Sequence, residues 1–218
     1  RAYAAKRPGV VSFAVRTRGR AWSHRGTRGV PAASTLKAIL LVAYLRRPRV
    51  RTRALTHADR RLLAPMVRRS DNVTATRVRD LLGNARLTRF ARRAGMRRFR
   101  AHPVWGLSRV DAADLSRFML HVDELTPPRH RAYAMHLLRT IVPSQRWGVA
   151  QAKPPTWQLF FKGGWGSGTG AVDHQVALLT NGDRRVSLAI TTTANGSHAA
   201  GKRTLEGVAR RLLRGLPE

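Results

Sequence analysis

Three short segments, met in one order, constrain this 218-residue chain more than any bulk property. They are Ser34-Thr35-Leu36-Lys37, Ser70-Asp71-Asn72 and Lys162-Gly163-Gly164. Ser34 stands near the start of an apolar helical pattern, and Lys37 lies about one turn on, on the same face. A serine hydroxyl is a weak nucleophile until a base takes its proton. A lysine can be that base when burial or other cations depress its pKa, whereas an arginine stays charged. Lys37 is the only lysine in this helix of an arginine-dominated chain. The same Ser and Lys also read as a helix cap and a solvated cation. Ser70-Asp71-Asn72 falls between two helical stretches, as a proton relay with a substrate-binding amide or as an N-cap cluster. Lys162-Gly163-Gly164 ends an apolar run, Phe160-Phe161. Its glycines admit close approach of a ligand backbone, or form a plain turn beside an exposed lysine.

The hydropathy pattern sets these segments on a frame. Val10–Val15 and Arg20–His24 read as a hairpin turning at Arg18-Gly19. A helix is expected over about Ala33–Leu45, ended by Pro48. Further helices fall near Ala58–Arg69, Val73–Leu82, Ala85–Arg93, Ala112–Val122 and Arg129–Ile141, with a loop at Gly95–Gly106. Gln158–Lys162 is a strand running into a Gly-rich turn. Asp173–Leu179 and Arg184–Thr191 form a second hairpin turning at Asn181-Gly182. A last amphipathic helix spans about Ala199–Leu213. The class is α+β: an antiparallel sheet flanked by a terminal helix, with an inserted all-α lobe. One domain over residues 1–218 is expected, its sheet part at about 1–30 and 156–218 and its lobe at about 31–155.

Composition narrows the partners. Forty-two basic residues face 11 acidic ones, and 37 of the 42 are arginine. No carboxylate precedes Asp59, and none lies between Asp80 and Asp111. Such a field attracts polyanions, whether acidic wall polymers, lipid headgroups or nucleic acid. An arginine-biased composition on a solvated surface explains the charge as well. No aromatic-interleaved basic motif points to specific nucleic-acid binding. The absence of cysteine excludes disulfides and thiolate metal sites. The eight histidines show no metal-ligand spacing. No apolar run is long enough to span a bilayer. Arg1 rather than Met opens the chain, as expected if an upstream signal or anchor has been removed.

The three motifs together resemble those of the penicillin-recognising serine hydrolases, the class A β-lactamases and related penicillin-binding proteins, whose order is S-x-x-K, S-D-N, K-T-G. The element order matches that fold over about Val10 to Leu213. The resemblance implies a covalent acyl-enzyme on Ser34, with Lys37 as base and Ser70 passing a proton to the leaving nitrogen. Asn72 would position the substrate and Lys162 would support the anion site. The oxyanion hole would use the backbone N–H groups of Ser34 and Trp165, with Gly163 and Gly164 lining the strand. It implies a β-lactam or cell-wall peptide substrate, an extracytoplasmic setting, and neither metal nor cofactor.

Two departures qualify this. Gly163 stands where the family carries Thr or Ser, whose hydroxyl binds the substrate carboxylate. Class A enzymes also place a Glu, between the second and third motifs, that activates the deacylating water; Gly95–Gly106 holds no carboxylate. The acyl-enzyme should therefore form but hydrolyse slowly. Ser108-Arg109-Val110-Asp111 reads as a capping box, which makes Asp111 structural. Only 36 positions separate Ser34 from Ser70, so a shortened lobe is expected. Arg146-Trp147-Gly148 resembles a structural stretch before the K-T-G strand of relatives. His174 and Gln175 edge the cleft or occupy partly exposed strand positions. Trp105 and Trp165 wall the site or belong to the core. The alternative function is a catalytically silent relative that binds anionic polymers through its arginines.

Overall fold

A computed structural model describes residues 1–166 and 171–216. In chain order, helix α1 (Ala2–Ala5) precedes the hairpin β1 (Val10–Arg16) and β2 (Ala21–His24), then β3 (Val30–Pro31). Helices α2 (Leu36–Leu45), α3 (Pro48–Arg51), α4 (His57–Arg68), α5 (Asn72–Leu82) and α6 (Asn84–Arg93) follow. After β4 (Arg109–Val110) come α7 (Ala112–Leu120), α8 (Val122–Leu125), α9 (Pro128–Arg139) and α10 (Val149–Ala152). The chain closes with β5 (Gln158–Gly166), β6 (Val172–Asn181), β7 (Arg184–Thr193) and α11 (His198–Leu212).

The α+β architecture expected from the sequence is present. Five antiparallel strands lie in the order β2-β1-β7-β6-β5. Because β1 pairs with β7, Val10 meets Thr193 and the two ends of the chain close one sheet around the helical insertion. The apolar run Leu36–Leu45 makes α2 hydrophobic on every face, so all ten residues are buried and α2 forms the lobe's central post. Helix α7, assigned by pattern to the lobe, instead packs on β1, β6 and β7, while α11 covers β6 and β7. Among the described residues no helix is long and apolar enough to cross a membrane.

Three local expectations change. β5 does not turn after Lys162 but runs on through Gly166, because β6 pairs with it residue for residue from Gln158 to Gly166. The two-residue strands β3 and β4 pair with each other, and the Ala32 N–H donates to the Ser108 carbonyl at 2.7 Å. Ser108 does not cap α7. Asp111 is itself the N-cap, its Oδ1 accepting the Asp114 N–H at 2.8 Å, while the Ser108 hydroxyl accepts the His102 N–H at 3.2 Å.

Candidate active site

Each motif enters one cleft from a different element. Ser34 lies in a 3-10 turn, Ala33–Thr35, that leads into α2 and packs against β5 and β6. Ala33 holds a left-handed φ of 44°, a conformation L-residues avoid, which bends the chain sharply before the serine. The turn stays fixed because Thr35 Oγ1 donates to the Ala32 carbonyl at 2.6 Å and Ala32 is tied to Ser108. Ser34 is 8% exposed.

Lys37 follows on the first turn of α2 and is fully buried. Its Nζ donates to Asn72 Oδ1 at 2.7 Å, to Ser70 Oγ at 3.2 Å and, in a short contact, to the Ser70 carbonyl. These bonds satisfy three donors but leave the amine out of water. Burial lowers its pKa to about 7, against the opposing pull of Asp71. Near neutral pH a large share of Lys37 is thus free amine.

Ser70 is presented by a strained loop. Its φ is 59°, and the next N–H, of Asp71, donates to the Pro65 carbonyl near the end of α4. Asp71 is the N-cap of α5 and accepts from the Thr74 N–H and hydroxyl, both at 2.7 Å. Those bonds hold its carboxyl below the usual range. The cap reading therefore applies to Asp71, while Ser70 and Asn72 turn inward to Lys37.

Lys162 reaches the same hydroxyl from β5. Its Nζ donates to Ser70 Oγ at 3.1 Å and to the Gly163 carbonyl at 2.7 Å. Complete burial, with repulsion from Lys37, holds this amine well below the ordinary lysine pKa. One serine hydroxyl thus sits between two buried lysines. Among the described residues no hydrogen bond joins the Ser34 hydroxyl to either of them. Bonds of this kind often tighten only with substrate bound.

Strand alternation separates the remaining third-motif residues onto two faces. Gly164 faces the Ala33–Thr35 turn: a Cβ there would lie 2.8 Å from Ser34 N and 2.7 Å from Thr35 N. Gly163 and Trp165 face the other way, where a Cβ on Gly163 would meet the Trp147 ring at 3.3 Å. Trp147 and Trp165 pack edge to face at 5.7 Å, and His198 stacks on Trp165 at 5.7 Å. The position of the missing hydroxyl is therefore walled by indole.

His174 and Gln175, expected at the cleft edge or partly exposed, are fully buried. His174 Nδ1 accepts the Thr192 N–H at 3.1 Å, which leaves Nε2–H to donate to the Pro31 carbonyl at 3.0 Å. Burial pushes its pKa down to about 4. Gln175 Oε1 accepts the Val149 N–H and its Nε2 donates to the Trp147 carbonyl, both at 2.7 Å. It thereby fixes the turn that aims Trp147 at Gly163, a task no sequence pattern signals. Trp105 lies with its ring centroid 4.7 Å from Lys37 Nζ. No group of three or more metal-ligating side chains occurs among the described residues.

The comparisons agree with this frame. The model of the β-lactamase enzyme family matches residues 50–216, from α3 to the end of the described chain. A β-lactamase from Sphaerobacter thermophilus is similar at a TM-score of 0.86 and 18% identity, over 100% of this chain and 97% of that one. An ancestral (GNCA) class A β-lactamase is similar at a TM-score of 0.82 and 18% identity, over 99% and 97%. The structure of PBP-A is similar at 0.80 and 18%, over 96% and 91%. No curated protein sequence matches the chain. The fold and the motif cleft define a serine hydrolase scaffold of the penicillin-recognising type. The chain belongs to the β-lactamase enzyme family.

Proposed function

We propose that the protein attacks an amide or β-lactam carbonyl with Ser34 and forms a covalent acyl-enzyme that hydrolyses slowly. The observation that carries this reading is the Ser70 hydroxyl held between Lys37 and Lys162 at 3.2 and 3.1 Å. In the acylation step Lys37 Nζ takes the Ser34 proton and Oγ attacks the carbonyl carbon. The oxyanion is received by the N–H groups of Ser34 and Trp165. Ser70 then gives its proton to the leaving nitrogen and recovers one from the Lys37 ammonium, so the amine departs neutral and the ester remains. Asn72 orients the substrate amide. Lys162 steadies Ser70 and an anionic substrate group, while Gly163 offers that group no hydroxyl.

Slow turnover is expected because Gly95–Gly106 holds no carboxylate to activate a deacylating water. The carboxylate acting on Lys37 is Asp71, already committed to Thr74. The substrate class that fits is a β-lactam or a cell-wall peptide, and the setting is extracytoplasmic. Intact-protein mass spectrometry after addition of a penicillin, with Ser34→Ala alongside, tests the reading. A long-lived adduct on the parent alone supports it; rapid steady-state turnover, or an adduct on Ser34→Ala, overturns it.

A second reading rests on charge. Helix α6 exposes Arg86, Arg89, Arg92 and Arg93 with no acidic residue in its sequence. This face suits an anionic wall polymer or lipid surface, and a silent relative would use it alone. Binding that collapses with salt and is unchanged by Ser34→Ala, with no adduct across several β-lactams, would favour it.

A further inference from the structure

Lys37 is enclosed from two sides. On one side lie its bonds to Ser70 and Asn72. On the other, the Trp105 ring centroid is 4.7 Å from Nζ. The indole is fixed in place, because Nε1 donates to Thr76 Oγ1 at 3.0 Å on α5, the helix that also carries Asn72. The 3-10 turn that bears it, Trp105–Leu107, packs against the Ala33–Thr35 turn of the nucleophile. Val104 and Leu107 on the same segment are exposed.

This placement has a chemical consequence. Hydrolysis of an ester on Ser34 needs a water whose oxygen attacks the acyl carbon while its proton passes to a base. The C–Oγ bond then breaks and Oγ recovers a proton from the resulting Lys37 ammonium, directly or through Ser70. Lys37 is the base at hand. A water is held in place only by two to four polar partners. The Trp105 ring offers none, since its single N–H is spent on Thr76. The charged group that acts on Lys37 is Asp71 before α5, while Lys37 itself repels the Lys162 amine on β5. Asp71 is committed to Thr74, and Lys162 is a donor to Ser70 and Gly163.

We propose that Trp105 is a positioning residue that shields Lys37 and the Ser34 ester from water and so sets the lifetime of the acyl-enzyme. The ester half of this proposal rests on Ser34 being the nucleophile; the shielding of Lys37 does not.

Two measurements on the full chain separate the two. The first follows formation and decay of the benzylpenicillin adduct by intact mass in the parent, Trp105→Ala, Trp105→Phe and Thr76→Val. Trp105→Ala should shorten the adduct's life about tenfold or more. Trp105→Phe, which keeps a ring face, should stay close to the parent, and Thr76→Val should fall between. The second measures acetylation of Lys37 by dilute acetic anhydride, read by peptide mass. It should run about fivefold faster or more in Trp105→Ala, because the thin layer excluding water also excludes the reagent. Equal Lys37 acetylation in parent and Trp105→Ala overturns the proposal. So does an unchanged adduct lifetime, or formation and decay slowed by one common factor. If the parent forms no adduct while Lys37 is unmasked as expected, the acyl-enzyme reading fails and the shielding stands.

Discussion

Replacing Gly164 with alanine tests how closely the third-motif strand is locked to the nucleophile turn. The added Cβ would lie 2.7 Å from Thr35 N and 2.8 Å from Ser34 N. Ordinary contact begins near 3.4 Å, so strand and turn must part by about 0.7 Å. Both obstructing atoms are backbone, in a turn pinned by the 2.7 Å bond from Ala32 N to the Ser108 carbonyl. Overpacking without a flexible neighbour costs about 1–3 kcal/mol. In a chain of this size that lowers Tm by roughly 3–9 °C. A displacement of about 1 Å between reacting groups costs about 100-fold in rate, so acylation should slow on the order of 10- to 100-fold. Gly163→Ala is the matched control, since its Cβ meets side-chain atoms of Trp147 at 3.3 and 3.4 Å that can yield. It should lose less than about 1 kcal/mol and acylate within about threefold of the parent. The assay pairs time-resolved intact mass of the penicillin adduct with thermal unfolding followed by circular dichroism. Parental acylation and Tm in Gly164→Ala, or equal damage from Gly163→Ala, would refute the reasoning.

Other consequences follow from the same geometry. The rate of adduct formation should rise with pH along a limb centred near 7, as Lys37 loses its proton, and Lys37→Arg should remove it, because a guanidinium stays charged; a flat profile from pH 5 to 9 would count against Lys37 as base. His174 is neutral when folded down to about pH 4 but protonates near 6.5 when unfolded, so the unfolded chain binds more protons in that window. Stability should therefore fall as pH drops from about 6.5 to 4, by roughly 3 kcal/mol from this group, and His174→Gln should flatten that part of a urea-midpoint profile. Gln175→Ala removes both bonds that hold the Trp147 turn and should cost roughly 2–4 kcal/mol by chemical denaturation; a cost below about 0.5 would mean the turn holds itself.

The frame was legible where local chemistry and long-range packing agree. Leu36–Leu45 reads as a helix because Leu36, Ile39, Leu40 and Ala43 recur at helical spacing, and the structure buries all ten residues. Asn181-Gly182 marks the β6–β7 hairpin because a tight turn needs positive φ, and Gly182 has φ of 55°. Gly163, Gly164 and Gly166 misled because their type argues against a strand, while pairing with β6 supplies the order their side chains cannot. Ser108 and Asp111 are both good N-caps, so spacing alone could not choose between them. His174 and Gln175 looked half exposed as polar residues on a strand. β6 is buried at eight consecutive positions, and each of the two spends its polar atoms on backbone carried by elements distant in sequence. The Trp105 contact with Lys37 and the Trp147 wall at Gly163 come from tertiary approach and leave no periodic trace.

The choice of lysine over arginine ties composition to chemistry. Arginine outnumbers lysine 37 to 5, yet the fully buried cations among the described residues are Lys37 and Lys162. A guanidinium carries its charge at any physiological pH, so burying one without a carboxylate partner is prohibitive. An amine can shed its proton instead, which both relieves the cost of burial and creates a base. The Lys162 amine, which shares the Ser70 hydroxyl with Lys37, is depressed further by repulsion from it. The chain's net charge of +31 works in the same direction at longer range. Arginine supplies most of the positive surface, while the two fully buried cationic side chains among the described residues are lysines. That difference between the two side chains is the physical reason why so basic a chain can bury two amines against one serine hydroxyl.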